Sequence, residues 1–283
     1  MANESKVAIV TGAARGIGAG VAQALAKKGY AVALVGLEGE LLRQNAKALG
    51  DRAIAFEADV TDRLGLGNAV EGARERFGRI DVVVSNAGIG NHELVRDMSA
   101  ENFTRVIDVN LGGTFNTAKA VLPHLIESKG YFLAVASLAA ASSPPGFAAY
   151  GASKAGTEAF CDTLRSEVSH LGVDVGVAYF GWVATDLVKG AGELPAFAYM
   201  RTHLPGPLKT IAPLDLAVKA MVNGVEQRKR RVMAPGWIRL ALALRYLIAG
   251  DSSRYRKLMP EIERLSTEEA RRGAVFISDP TRR

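Results

Sequence analysis

The stretch Val7–Gly18 reads VAIVTGAARGIG and decides the fold. Its first residues, Val7–Val10, form an apolar run of the length of a buried strand, and a segment with helical spacing starts at Gly16. The glycines between them allow unusual backbone angles and a close approach of a ligand, and the N–H groups at a helix start favour an anion. We predict a strand, an anion-binding turn and a helix; a tight turn without a ligand is the alternative.

Apolar runs and segments of helical spacing alternate along most of the chain. Near-continuous apolar strands between helices are typical of a parallel sheet that is covered on both faces. We therefore predict an α/β fold with a doubly wound, seven-stranded parallel sheet of Rossmann type. The predicted strands are Val7–Val10, Ala31–Val35, Ala53–Phe56, Asp81–Val84, Tyr131–Ala136, Val173–Ala178 and Arg231–Ala234, and the predicted helices are Gly16–Lys28, Glu40–Leu49, Leu64–Phe77, Glu101–Glu127, Tyr150–His170 and Leu214–Gln227.

The chain divides into one catalytic domain and an extension. We predict a single Rossmann-type domain over residues 1–235 and a basic, partly apolar helical extension over 236–283. Between the sixth strand and the last predicted helix, residues 185–212 contain three prolines and several glycines. Long excursions of this kind are often lids over active sites, so we expect a loop with a short helix.

Composition excludes several classes of protein. The 283 residues are 48% hydrophobic and 23% charged, which is ordinary for a globular protein and too apolar for a disordered one. The single cysteine, Cys161, excludes an intrachain disulfide, and the N-terminus lacks the pattern of a signal peptide. We expect a cytoplasmic protein.

The net charge of +6 belongs to the end of the chain. Residues 228–283 hold 14 Lys and Arg against 6 Asp and Glu, whereas the other residues hold 21 against 23. The body therefore gives no electrostatic reason to expect nucleic acid as a partner.

Three side chains near the middle of the chain suggest proton-transfer chemistry. Tyr150 and Lys154 are four residues apart at the start of a predicted helix, which places them on one face. Free tyrosine titrates near pKa 10, and an ammonium one turn away lowers that pKa towards the useful range. Ser137, which follows the fifth strand, can hydrogen-bond the same substrate oxygen.

These motifs together identify a family. The turn Thr11–Gly18, the segment Asn86-Ala87-Gly88, Asn110, Ser137 and Tyr150-x-x-x-Lys154 match the short-chain dehydrogenase/reductase family in order and spacing. The resemblance covers about residues 5–185 and departs from the family pattern at Phe180-Gly181, where the family usually has Pro-Gly.

The resemblance implies roles for the matched residues. Tyr150 would be the proton donor and acceptor, Lys154 would lower its pKa and hold the nicotinamide ribose, and Ser137 would orient the carbonyl. Asn110 would hold a water in a proton relay. The implied cofactor-binding residues are Gly12, Arg15, Gly16, Ile17, Gly18, Leu37, Asp59, Val60, Asn86, Ala87, Gly88, Tyr150, Lys154 and Thr185.

The sequence leaves the choice between NADP and NAD open, with a slight preference for NADP. At the end of the second strand, Gly36 provides no carboxylate against a 2′-phosphate, and Arg15 can pair with that phosphate. Against this, Leu37 stands where many phosphate-preferring relatives have arginine, and Glu38 is close.

The residues expected around the substrate are mainly apolar, which favours a hydrophobic alcohol or ketone over a sugar phosphate. The four histidines show no metal-ligand spacing, so we expect no metal, and Cys161 is expected to be a core thiol. The expected substrate wall comprises Leu138, Ala139, Phe147, Phe180 and Trp182, with the lid residues Phe197, Tyr199 and Met200.

The extension begins with Trp237–Ile248, WIRLALALRYLI, between basic flanks. It is too short to span a bilayer. We favour packing on the body or on a partner subunit; peripheral contact with a membrane and cover for the substrate pocket are the alternatives. The family resemblance implies a homo-oligomer, at least a dimer through the helices Glu101–Glu127 and Tyr150–His170.

Two other functional classes compete with an NAD(P)-dependent alcohol dehydrogenase or carbonyl reductase. A non-catalytic dinucleotide-binding regulator would keep the fold, and a membrane-associated adaptor would use the basic extension. A fold alone does not separate these classes. The intact Ser137, Tyr150 and Lys154 favour the enzyme.

Overall fold

The computed structural model describes residues 5–142, 144–248, 253–271 and 276–277. Seven strands form one parallel sheet in the order β3-β2-β1-β4-β6-β7-β8, and two short strands, β5 and β9, pair antiparallel beside it. This confirms the predicted Rossmann-type sheet. The strands are β1 Val7–Thr11, β2 Ala31–Gly36, β3 Ala53–Glu57, β4 Val82–Ser85, β5 Gly90–Asn91, β6 Tyr131–Val135, β7 Asp174–Phe180, β8 Arg231–Ala234 and β9 Phe276–Ile277.

The central strands are covered on both faces. Every residue of β1 and β2 is buried, which is why these strands are continuous apolar runs without alternation. Ala8 and Val10 pack into one apolar cluster, and Ile9 between them packs into another on the opposite face. The sequence order reverses between β1 and β4, and ligands bind in parallel sheets of this kind at the carboxyl ends of the strands next to such a reversal.

Thirteen helices lie in the described ranges of the chain. Five of the six helix ranges predicted from the sequence have ends within two residues of a helix in the structure. The sixth, Glu101–Glu127, is divided into two helices. The helices are α1 Gly16–Lys27, α2 Gly39–Leu49, α3 Arg63–Phe77, α4 Ala100–Ile107, α5 Gly113–Ser128, α6 Ala148–Val168, α7 Asp186–Gly192, α8 Pro195–Thr202, α9 Leu214–Glu226, α10 Ile238–Ala243, α11 Arg245–Ile248, α12 Ser253–Arg256 and α13 Met259–Arg271.

A π-helical turn, Asp108–Gly112, separates α4 from α5. Directly after it, a side chain at Gly113 would lie 2.5 Å from Val60 Cγ2, so the start of α5 packs closely on the segment after β3. The turn places Asn110 in the interior with no exposed surface. Such turns within helices are frequent at functional sites.

The expected lid is more helical than the sequence suggests, and the described part of the extension contains four helices. Residues 185–212 contain α7, α8 and a short 3-10 turn, where the sequence predicts one short helix in a loop. The first half of the extension forms α10 and α11, and α13 packs on the lid helix α8. Part of the extension, residues 249–252, 272–275 and 278–283, lies outside the described residues. In the ranges that are described, no helix is long and apolar enough to cross a membrane.

Candidate active site

The glycine turn after β1 lies against the turn after β4. Gly12 has φ +63°, and a side chain there would come within 2.8 Å of Ala87 Cα. Asn86 Nδ2 donates to the carbonyls of Thr11 and Gly12 at 3.1 and 3.2 Å, and Thr11 Oγ1 accepts the N–H groups of Asn86 and Ala87. These bonds hold the two strand ends together at the reversal point of the sheet.

The start of α1 suits an anion. Gly16 has φ +57°, and a side chain at Gly18 would collide with the Gly12 carbonyl, so the turn needs glycine at these positions. The residue before the helix, Arg15, makes no side-chain hydrogen bond to the described first turn. The backbone N–H groups at the start of α1 and the positive end of its helix dipole are suited to a phosphate. The site therefore fits the pyrophosphate of a dinucleotide.

Tyr150, Lys154 and Ser137 come together as the spacing predicts. The Lys154 Nζ atom lies 5.6 Å from the centroid of the Tyr150 ring and donates to the Val135 carbonyl at 2.8 Å. Ser137 Oγ accepts the Ala139 N–H at 3.1 Å, which fixes the hydroxyl at the start of a short 3-10 turn.

Burial shifts the pKa values of both Tyr150 and Lys154. Burial raises the pKa of Tyr150, and a hydrogen bond with Ser137 lowers it only in part. Burial also lowers the pKa of Lys154 to about 8. The Lys154 ammonium lies over the Tyr150 ring and bonds to the Val135 carbonyl, while loss of water disfavours the Tyr150 phenolate. That Lys154 lowers the pKa of Tyr150 during the reaction stays a prediction.

Asn110 is buried beside the site. Its amide bonds both the N–H and the carbonyl of Ile89, at 2.9 and 3.0 Å, and donates to Ser153 Oγ at 3.0 Å. A side chain at Gly88 would meet Asn110 Oδ1 at 3.0 Å and Lys154 Nζ at 3.4 Å, so the two groups face the same small space. The structure thus brings Asn110 close to Lys154 through the strand-end turn.

A pocket opens at the glycine turn and is called here the glycine-turn pocket. It is lined by every predicted cofactor residue except Gly18, which lies under the turn, and by the predicted catalytic residues except Asn110. The predicted residues that line it are Gly12, Arg15, Gly16, Ile17, Leu37, Asp59, Val60, Asn86, Ala87, Gly88, Ser137, Tyr150, Lys154, Phe180 and Thr185.

Arg15 forms an ion pair with Glu38 that was not predicted from the sequence. Its guanidinium bonds both carboxylate oxygens of Glu38 and lies 3.5 Å from Asp186. Glu38 itself lines the glycine-turn pocket. Glu38 follows the end of β2, and this position in the sequence is the signal from which its place in the pocket could have been predicted.

Asp59 and Thr185 both stabilise local turns. Asp59 Oδ1 accepts the Thr61 N–H at 2.8 Å, in the turn just before Asp62, which caps α3. Thr185 caps α7 by accepting the Val188 N–H at 3.4 Å, and it lies next to Gly16.

A second cavity, called here the apolar pocket, joins the first at Ser137 and Tyr150. It contains Leu138, Ala139, Phe147 and Trp182 as predicted. Phe180 lines only the glycine-turn pocket, and Phe197, Tyr199 and Met200 lie behind the wall rather than in it. Phe197 packs edge-on against Phe147 and Trp182, so it supports the wall. Three residues of the extension, Trp237, Ala241 and Tyr255, also line it. The sequence allowed the segment Trp237–Ile248 to cover the pocket as an alternative, but none of these residues was in the expected substrate wall.

The remaining candidates have structural roles. No group of three or more metal-ligating side chains occurs within the described residues. Cys161 is buried, and burial raises the pKa of its thiol to about 12, as expected for a core cysteine.

The model of the short chain dehydrogenase family matches residues 6–194. The chain belongs to this family of oxidoreductases. A 3-oxoacyl-[acyl-carrier-protein] reductase of Synechocystis is 35% identical over 201 residues, which cover 69% of this chain and 81% of that protein.

Solved structures of the family share the fold over most of the chain. An alcohol dehydrogenase from the archaeon Thermococcus sibiricus, complexed with 5-hydroxy-NADP, is 30% identical with a TM-score of 0.71, covering 81% of this chain and 96% of that one. A 3-ketoacyl-(acyl-carrier-protein) reductase from Brucella melitensis, complexed with NADH, is 27% identical with a TM-score of 0.73, covering 82% and 97%.

Proposed function

We propose that this protein is an NAD(P)-dependent oxidoreductase that interconverts a hydrophobic alcohol and its carbonyl compound. One observation carries the proposal: Ser137 and Tyr150 line both the glycine-turn pocket and the apolar pocket. A substrate oxygen in the apolar pocket can therefore reach two hydroxyl groups next to the cofactor site.

The side chains divide the chemistry among them. Tyr150 Oη donates the proton to the carbonyl oxygen in reduction and accepts it in oxidation, and Ser137 orients that oxygen. Lys154, held by the Val135 carbonyl, binds the cofactor and supplies positive charge beside Tyr150. Asn110 lies beside Lys154 on the route by which a proton reaches solvent.

The residues around the glycine turn fit a nicotinamide dinucleotide. When bound, the nicotinamide supplies or accepts the hydride. The glycine turn and the start of α1 hold the pyrophosphate, and Asp59 and Val60 lie in the same pocket for the adenine. Solved relatives carry NADH or an NADP derivative, which supports either cofactor here.

The substrate is proposed from the walls of the apolar pocket. Leu138, Phe147 and Trp182 surround the space beside Tyr150 and suit an uncharged apolar group. A 3-oxoacyl thioester is a second candidate, because relatives with that substrate in their names match most of the chain.

A homodimer and a cytoplasmic location are further parts of this proposal. Phe115 on α5 is 40% exposed and packs edge-on against Phe160 of α6, which gives these helices an apolar surface for a second copy. Light scattering of the purified protein measures the oligomeric state. The cytoplasmic location is supported by the single cysteine in the sequence.

The proposed function is tested by Tyr150→Phe. We expect turnover to fall at least a hundredfold, because the ring stays and only the hydroxyl is lost, while affinity for the cofactor changes by no more than a few-fold. Lys154→Ala is expected to weaken both. Steady-state kinetics and cofactor titration measure these effects.

Tyr246→Phe is the matched control, because that hydroxyl is on a side chain that is 84% exposed. It is expected to leave turnover unchanged. Normal turnover in Tyr150→Phe would contradict the proposed mechanism, and cofactor binding without turnover of any alcohol or ketone would favour the non-catalytic regulator.

A further inference from the structure

The apolar pocket is completed by residues outside the family match. The match ends at residue 194, yet Trp237 just before α10, Ala241 on α10 and Tyr255 on α12 line this pocket. These residues therefore lie beyond the part of the chain that the family model matches.

The helix α10 is held against the body by one face. Ile238 is fully buried in the apolar cluster under the sheet, with Trp237 and Ala241 packed against that cluster. On the other side, Leu240 is 63% exposed and Ala243 is exposed. The same helix therefore presents a pocket face and a solvent face, and small changes on the two faces can be compared directly.

The pocket has polar groups suited to one substrate oxygen and no charge among its described lining residues. Ser137 and Tyr150 are the hydroxyls shared with the cofactor site. Trp182 is fixed because its Nε1 donates to the Leu208 carbonyl at 2.7 Å, so its ring serves as a wall. An ionised group on the substrate would lose its water without gaining a partner here.

We infer that Trp237 and Ala241 are specificity-determining residues, and that the extension restricts the apolar pocket to free carbonyl compounds or alcohols with an uncharged, compact apolar group. This inference rests on the proposed function for the position of the reacting oxygen. Because Trp237 and Ala241 are part of the wall, the size of their side chains limits the apolar group that fits beside Ser137 and Tyr150.

Ligand binding can be measured without turnover, because the chain has two tryptophans, Trp182 and Trp237, and both line the pocket. The probes are two uncharged ketones, cyclohexanone and the larger 1-tetralone, added to the cofactor-loaded protein. We expect both to change the tryptophan fluorescence saturably.

The variant Ala241→Phe narrows the pocket, and Ala243→Phe makes the same change on the solvent face. We expect Ala241→Phe to weaken 1-tetralone binding at least tenfold and cyclohexanone binding much less, and Ala243→Phe to change neither by more than twofold. Trp237→Ala, read through Trp182, is expected to favour the larger ketone. We expect the affinity for the cofactor to stay within twofold in all three variants. This measurement checks that the variants are folded.

Equal effects of Ala241→Phe and Ala243→Phe, or no effect of Ala241→Phe and Trp237→Ala on the preference between the ketones, would overturn the inference. Turnover of an acetoacetyl carrier-protein thioester at a kcat/KM above that of 1-tetralone would also overturn it. Saturable ketone binding without turnover would contradict the proposed function and leave the pocket assignment supported, so the two failures are distinguishable.

Discussion

At the scale of single residues, the ion pair between Arg15 and Glu38 bears on the choice of cofactor. The sequence slightly favours NADP because Arg15 can meet a 2′-phosphate. In the structure Glu38 accepts hydrogen bonds from Nε and Nη2 of that guanidinium, and Asp186 Oδ2 lies 3.5 Å from its Nη1. A 2′-phosphate would have to compete with these two carboxylates, so this contact favours NAD.

Glu38→Gln is predicted to shift the preference towards NADP. The change removes the negative charge that holds Arg15 and that repels a phosphate. We expect the ratio of kcat/KM for NADPH over NADH to rise roughly tenfold, which corresponds to about 1.4 kcal/mol.

Glu40→Gln is the control for this change, because Glu40 is close in sequence but bonds Arg43 and Gln44 at the surface. It is expected to leave the ratio of the two cofactors unchanged. If Glu38→Gln also leaves that ratio unchanged, the ion pair does not select the cofactor.

At the scale of elements, the last long helix is tied to the lid by one carboxylate. Glu269 on α13 is buried, and its Oε1 accepts the Ala196 N–H at the start of α8 at 2.6 Å. His92 lies 3.7 Å from the other oxygen. Because Phe197 of α8 supports the wall of the apolar pocket, this bond connects the extension to the substrate site.

Glu269→Ala is predicted to loosen both helices. It leaves the Ala196 N–H buried without its acceptor, and such a loss costs about 1–3 kcal/mol. Urea denaturation is expected to show this decrease, and hydrogen exchange is expected to speed up in α8 and α13.

Glu268→Ala tests whether any glutamate at this point of α13 has the same effect. Glu268 pairs with Arg264 at the surface, so its loss is expected to cost less than about 1 kcal/mol. Glu269→Gln keeps an acceptor and is expected to lie between the two. Equal stability of all three variants would show that the Ala196 bond contributes nothing.

At the scale of the whole molecule, the extension covers apolar surface of the body. Truncation after Ala234 removes the fully buried Ile238 and part of the pocket wall. Burial of one such side chain contributes about 1.5–3 kcal/mol, so we expect a lower melting temperature, binding of a hydrophobic dye and aggregation.

The same truncation tests the membrane alternative. Three leucines are exposed next to basic residues: Leu240 on α10, Leu244 between the helices and Leu247 on α11. If they dock on lipid, the truncated protein stays folded with an unchanged melting temperature, and the full chain binds anionic vesicles in a salt-sensitive way. That combination would contradict packing on protein as the main role of the extension.

The fold was predictable because its signals are local. Buried parallel strands are continuous apolar runs, and the alternation with helices determines their arrangement in layers. The division of the predicted helix Glu101–Glu127 was not predictable, because the helical spacing of the segment does not show the π-helical turn at Asp108–Gly112.

The sequence by itself determined the α/β fold, the glycine turn and the pairing of Tyr150 with Lys154. Helix periodicity and turn conformation depend on residues that are close together in the chain. The tertiary structure decided which groups meet across the sheet edge. It paired Arg15 with Glu38, raised the pKa of Tyr150 by burial, and brought Trp237 and Ala241 into the apolar pocket. Desolvation and contacts between distant segments depend on packing, and spacing along the chain does not encode them.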